Sequence, residues 1–183
     1  MKAIAVYCGA SHGDSPLYAE AARAMARALV GHNIGLVYGG GNVGLMGVIA
    51  DEVLRLGGEA SGVIPRALLE REVGHTGLTR MFVVKDMHER KAMMAELSDG
   101  FIAMPGGMGT LEELFEMLTW SQLGIHAKPV GVLNVNGYYD GLVALMEHMR
   151  GEGFVRAQHA ALMMVESDAE ALLRRLQGGA PAL

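Results

Sequence analysis

The chain reads as an α/β protein: a parallel sheet of about seven strands, wound outward in both directions and covered by helices on both faces. Three observations predict this. Apolar runs of strand length recur without polar alternation, amphipathic segments of helix length fall between them, and glycine loops follow several of the runs. Strands apolar throughout are buried on both faces, and parallel neighbours need crossover helices to join them.

The expected strands are 3–8, 34–38, 60–64, 81–84, 101–104, 130–135 and 162–165. The expected helices are 16–30, 45–56, 87–97, 111–123, 139–150 and 169–176. Strand 3–8 runs into Gly9-Ala10-Ser11, and strand 34–38 into Gly39-Gly40-Gly41, which prepares helix 45–56. Residues 66–80 read as an irregular excursion between strands. Asp86 followed by Glu89 marks the start of helix 87–97, and Thr110-x-x-Glu113 has the form of a capping box for helix 111–123. Residues 177–183 read as a loose tail. No repeat, low-complexity tract or linker divides the 183 residues, so one Rossmann-like domain is expected. Neither a GxGxxG after the first strand nor an acid about 20 residues further on is present, which favours a mononucleotide over a full dinucleotide cofactor.

Composition excludes several classes. A chain 51% apolar and 19% charged is folded rather than disordered. A net charge of −5 lacks the basic footprint of nucleic-acid binding. Residues 28–50 carry no charged side chain, but seven glycines and the His32-Asn33 pair make a strand, loop and helix start better than a membrane span. One cysteine precludes an internal disulfide framework and fits a reducing compartment, and the amino-terminus shows no signal-peptide pattern; the expectation is a cytoplasmic protein. The seven histidines form no metal-ligand spacing, and no cofactor is expected. None of the four lysines stands in a recognisable pyridoxal-phosphate context, Cys8 reads as a buried structural thiol, and Ser11 has no GxSxG elbow.

The most informative stretch is Pro105-Gly106-Gly107-Met108-Gly109-Thr110-Leu111-Glu112-Glu113, directly behind an apolar run. Backbone amides of such a loop, together with the helix amino-terminus behind it, can hold an anion. Ligands of open parallel sheets bind outside the carboxyl ends of the strands. The 9–11 and 105–110 loops leave the sheet at that edge and together could surround a ribose phosphate. Tight turn-making is the competing role for Gly106, Gly107 and Gly109, and helix packing the competing role for Gly40 and Gly41. On helix 111–123, Glu113 shares a stripe with Met117 and Trp120, whereas Glu112 and Glu116 lie toward the polar side, so Glu113 is the more sheltered carboxylate. On helix 87–97, Arg90 falls inside the stripe of Met87, Met94 and Leu97. A buried guanidinium needs a partner, either an ion pair or a ligand phosphate.

The nine-residue stretch resembles the PGGxGTxxE signature of the LONELY GUY family of cytokinin-activating phosphoribohydrolases, once labelled lysine decarboxylases. Met87-His88-Glu89-Arg90-Lys91 resembles that family's second motif, and residues 39–47 its first glycine loop, with similarity running from about residue 4 to residue 154. The resemblance implies hydrolysis of the N-glycosidic bond of an adenine-type nucleoside 5′-monophosphate to free base and ribose 5-phosphate. It implies catalytic roles for Arg90 and Glu113. It implies substrate or phosphate contacts from Gly106 through Glu112, including Met108, Thr110 and Leu111, and from Lys91, Glu72 and Thr119, with Ser11, Gly40 and Gly41 lining the site. It also implies a homodimer, for which helix 111–123 with Phe115 and Trp120 is a candidate surface. A nucleotide-binding carrier without activity is the competing class.

Overall fold

The computed structural model of the 183-residue chain describes residues 1–69 and 74–180. Seven parallel strands form one sheet: β1 (Ala3–Tyr7), β2 (Gly35–Tyr38), β3 (Ala60–Pro65), β4 (Arg80–Val84), β5 (Phe101–Ala103), β6 (Val130–Leu133) and β7 (Met163–Glu166). Their order across the sheet is β4-β3-β2-β1-β5-β6-β7, so the winding reverses between β1 and β5. Eight α-helices accompany them among the described residues: α1 (Pro16–Gly31), α2 (Gly44–Arg55), α3 (Arg66–Leu69), α4 (Met87–Glu96), α5 (Met108–Gln122), α6 (Asp140–Gly151), α7 (Ala157–Ala160) and α8 (Ala169–Gln177).

The expected strands and the six long helices are present, with ends displaced by one to three residues. The charge-free stretch 28–50 is the end of α1, β2, a glycine loop and the start of α2, and no helix among the described residues is long and apolar enough to cross a membrane. Strand β6 stops at Leu133 rather than 135 because the chain turns there. Asn134 accepts from the Tyr139 amide at 2.7 Å, and Asn136 and Gly137 adopt left-handed conformations. The excursion 66–80 contains the short α3, and Glu70 to Val73 lie outside the described residues. Of the expected tail, Gln177 closes α8, and residues 181–183 are outside the described residues.

The sheet divides the core in two, because successive side chains of a strand point to opposite faces. Ile4 and Val6 of β1 pack with α1, α2 and α8 through Met25, Leu29, Ile49 and Leu172. Ala5 and Tyr7 face the other way, onto Met94 of α4, Leu114 and Met117 of α5, and Met146 of α6. This double cover holds β1 and β5 side by side, with Val6 opposite Ile102, and their carboxyl-end loops diverge toward opposite faces.

Candidate active site

The β1 and β5 loops meet at the switch point. Gly9 donates to the Pro105 carbonyl at 3.0 Å, and Leu45 donates to the Gly9 carbonyl at 3.0 Å, so α2 is tied into the same junction. Tyr138 and Tyr139 donate from their hydroxyls to the carbonyls of Gly106 and Met104, each at 2.6 Å. These bonds turn carbonyls of the loop toward the protein.

The loop passes into α5 earlier than its sequence suggests. Met108 is already helical and Gly107 is the N-cap, so the capping box expected of Thr110 and Glu113 does not form. Thr110 is instead a buried residue of the first turn, 4% exposed. A glycine cap offers no side-chain oxygen, which leaves the first-turn amides to an external acceptor. Gly107, Gly109 and Thr110 line a cavity of about 280 Å³ with Arg90, Glu112 and Glu113. Cys8, Met46, Leu68 and Met87 supply its apolar wall.

Arg90 is 5% exposed and enters this cavity from α4. Its Nε donates to the Val63 carbonyl at 3.1 Å and its Nη2 to the Gly39 carbonyl at 2.8 Å. Carbonyls of β3 and of the loop after β2 thus help to hold the guanidinium in place. A Cβ on residue 39 would lie 2.1 Å from that Nη2, so the glycine is a condition of the arrangement. Asp86 caps α4 by accepting from the Glu89 amide at 3.0 Å, and Glu89 returns the bond to the Lys85 amide at 2.7 Å, as the sequence predicted.

Glu113 is half-buried in the cavity wall, while Glu112 is more exposed. Glu116 corrects the helical-wheel reading: it is half-buried and pairs with Lys91 at 3.1 Å. Lys91 also meets Glu112 at 2.5 Å. Burial would favour the neutral amine, but the two carboxylates outweigh it and hold Lys91 above the ordinary lysine value. Lys91 therefore ties together two acids of α5. Beneath them Tyr7 is buried, and its phenol is raised first by burial and then by Glu113, Glu116 and Glu112. Cys8 is likewise raised, by burial and then by Glu113, which makes it a poor nucleophile.

Other expected site residues are dispersed. Met108 is 89% exposed at the loop rim. Leu111, Phe115 and Trp120 pack partly buried against the core. Thr119 is exposed on α5, and neither it nor Leu111 lines the cavity. Gly40 and Gly41 do not line it either: the Gly40 carbonyl accepts from the His75 amide at 3.0 Å and Gly41 bridges Gly74. Ser11 lines a second cavity on the other side of Gly107. Glu72 lies outside the described residues. Sequence reading missed Val63 and Tyr7; Tyr7, which ends β1 at the switch point, carried a positional signal, whereas Val63, inside β3, carried none.

Comparison with known proteins agrees with this geometry. A family model described as "Possible lysine decarboxylase" matches residues 46–176. A probable cytokinin riboside 5′-monophosphate phosphoribohydrolase of Oryza sativa subsp. japonica, LOGL1, is 51% identical over 95% of this chain and 78% of its own. The cytokinin riboside 5′-monophosphate phosphoribohydrolase LOG7 of Arabidopsis thaliana is 47% identical over 96% of this chain and 81% of its own. Among solved structures, the molybdenum cofactor binding protein of Rippkaea orientalis superposes with a TM-score of 0.72 at 20% identity, covering 97% of this chain and 96% of that one; at that identity the likeness shows the fold alone. The relatives and the matched model together establish that the chain is a member of the LONELY GUY family.

Proposed function

We propose that the cavity hydrolyses the N-glycosidic bond of an adenine-type nucleoside 5′-monophosphate, releasing the base and ribose 5-phosphate. One observation carries this reading: a carboxylate, Glu113, and a fixed guanidinium, Arg90, line one cavity with the uncapped amino-terminus of α5. The amides of residues 108–110 and the helix dipole receive the 5′-phosphate. The apolar wall of Met46, Leu68 and Met87 receives the base, and the kind of base it prefers, adenine or its N6-prenyl derivative, follows from how far that wall extends. The names of the plant relatives support the prenylated substrate.

Cleavage of such a bond develops positive charge on the ribose ring, which a nearby carboxylate stabilises. Glu113 faces C1′ and directs a water to it. The water oxygen bonds to C1′, the C1′–N bond breaks with its electron pair leaving on the base, and the water's proton is passed on to the departing base. Arg90 orients the substrate beside that carboxylate. Because the phosphate is remote from the broken bond, its binding contributes orientation. We assign the reaction to the cytoplasm, on the strength of a single thiol that is buried and unpaired with any other cysteine.

Purified protein is incubated with AMP and with N6-isopentenyladenosine 5′-monophosphate, and free base is quantified by chromatography. Glu113→Gln is expected to lower turnover by about 10³-fold, the scale of a positioned acid–base group. Arg90→Ala is expected to fall comparably. Nucleotide that binds and is recovered intact from the wild-type protein would replace this reading with that of a carrier.

A further inference from the structure

A second cavity, of about 200 Å³, adjoins the first, and Gly107 is common to both walls. Beside the β5 loop it is lined by Ser11, His12 and Gly13 of the β1 loop, Tyr18 of α1, and Tyr138 from the turn after β6. The two tyrosines meet edge to face, with centroids 5.6 Å apart and planes at 77°. Tyr138 is held from behind by an edge contact to Tyr139 at 4.9 Å, yet it remains 44% exposed. Among the described residues, neither lysine nor arginine lines this cavity.

Resting on the assignment of the 5′-phosphate to the α5 amino-terminus, we propose that this cavity is a subsite for an uncharged ring esterified to that phosphate. The protein would then also take adenosine 5′-phosphodiesters, of which a dinucleoside monophosphate is the simplest. The geometry carries the argument in three steps. A phosphate at Gly107 lies at the border of both cavities, so a substituent on its remaining oxygen points into the second. The walls of Tyr18 and Tyr138 suit a neutral ring better than a further phosphate. The Ser11 hydroxyl and the exposed His12 imidazole supply hydrogen-bonding groups for a sugar.

Competition and thermal-shift titrations use three probes: AMP, uridylyl-3′,5′-adenosine, and ADP, which adds charge but no ring. The dinucleotide is expected to compete with AMP, and Tyr18→Leu is expected to weaken it on the order of tenfold relative to AMP, the scale of losing a base–aromatic contact. Tyr138→Phe keeps the ring and loses only its hydrogen bond to Gly106, so the ratio of dinucleotide to AMP affinity is expected to be preserved. Ratios measured within one variant cancel a general loss of folding. AMP binding without dinucleotide binding overturns the subsite and leaves the phosphoribohydrolase reading standing. Tyr18→Leu weakening both ligands equally overturns it too, since the cavity would then serve the monophosphate. ADP matching the dinucleotide overturns the preference for a neutral ring. Failure of all three probes to bind overturns both readings.

Discussion

The two glycine loops at the carboxyl edge of the sheet look alike in sequence and do opposite work. In the 106–109 loop the backbone presents donors: Tyr138 draws the Gly106 carbonyl away, and the uncapped first turn of α5 is left facing a cavity. In the 39–41 loop the backbone presents acceptors: the Gly39 carbonyl holds Arg90 and the Gly40 carbonyl holds the His75 amide. One loop leaves the first-turn amides facing a cavity, and the other fixes a cation already belonging to the protein. A glycine run after a buried strand therefore identifies a close approach without saying what approaches. Whether its amides or its carbonyls are spoken for decides that.

The largest effect that could break this contrast comes from Gly39→Ala. Its Cβ would occupy the place of the Arg90 guanidinium, so turnover is expected to fall about 10²-fold or more while the circular dichroism spectrum stays native; an active variant would show that Arg90 has a second productive position. Gly106→Ala should come next. Its Cβ would lie 2.1 Å from the Thr110 hydroxyl and 2.8 Å from the Gly9 amide, so thermal unfolding should report a loss of about 1–3 kcal/mol from overpacking, along with reduced activity. Gly109→Ala sharpens the comparison, because nothing stands within 4 Å of a Cβ there. As a helical residue it should gain about 0.5–1 kcal/mol in stability. A raised Tm with a raised KM for nucleotide is the expected pair of results, and an unchanged KM would remove the phosphate from that turn.

The smallest effect lies away from both loops and acts as a control. Burial pushes the His126 imidazole below the ordinary histidine value; the Met117 carbonyl opposes this and Lys128 adds to it. Its Nδ1 accepts from the Lys128 amide at 3.1 Å, and its ring tilts against Phe101 with centroids 5.1 Å apart. The folded state thus prefers the neutral ring. This contribution is complete above about pH 6.5, the unfolded value, and is lost as pH falls below it. Urea midpoints measured from pH 7.5 down to pH 5 should decline less in His126→Gln than in the wild type, with the two loops unaffected.

Much of this molecule was legible one residue at a time. Uninterrupted apolar runs such as Ile4 to Tyr7 could only be doubly buried strands, and a sheet of such strands needs helices on both faces. Arg90 stood out because a guanidinium inside an apolar stripe demands a partner, and Glu113 because it was the sheltered acid of its helix. Other features depended on distance through space. Thr110 has the local spacing of a cap, but α5 starts earlier, with Gly107 as its N-cap. For Lys91, nothing local reveals that Glu112 and Glu116, some twenty residues on, converge on its amine. The chain by itself determined periodicity, burial and the identity of the chemically capable side chains, since these follow from neighbours along the backbone. Only the tertiary structure decided which strand ends meet at the reversal of the sheet, which carbonyl each cation takes, and which amides stay open, because those depend on groups that the fold alone brings within 3 Å.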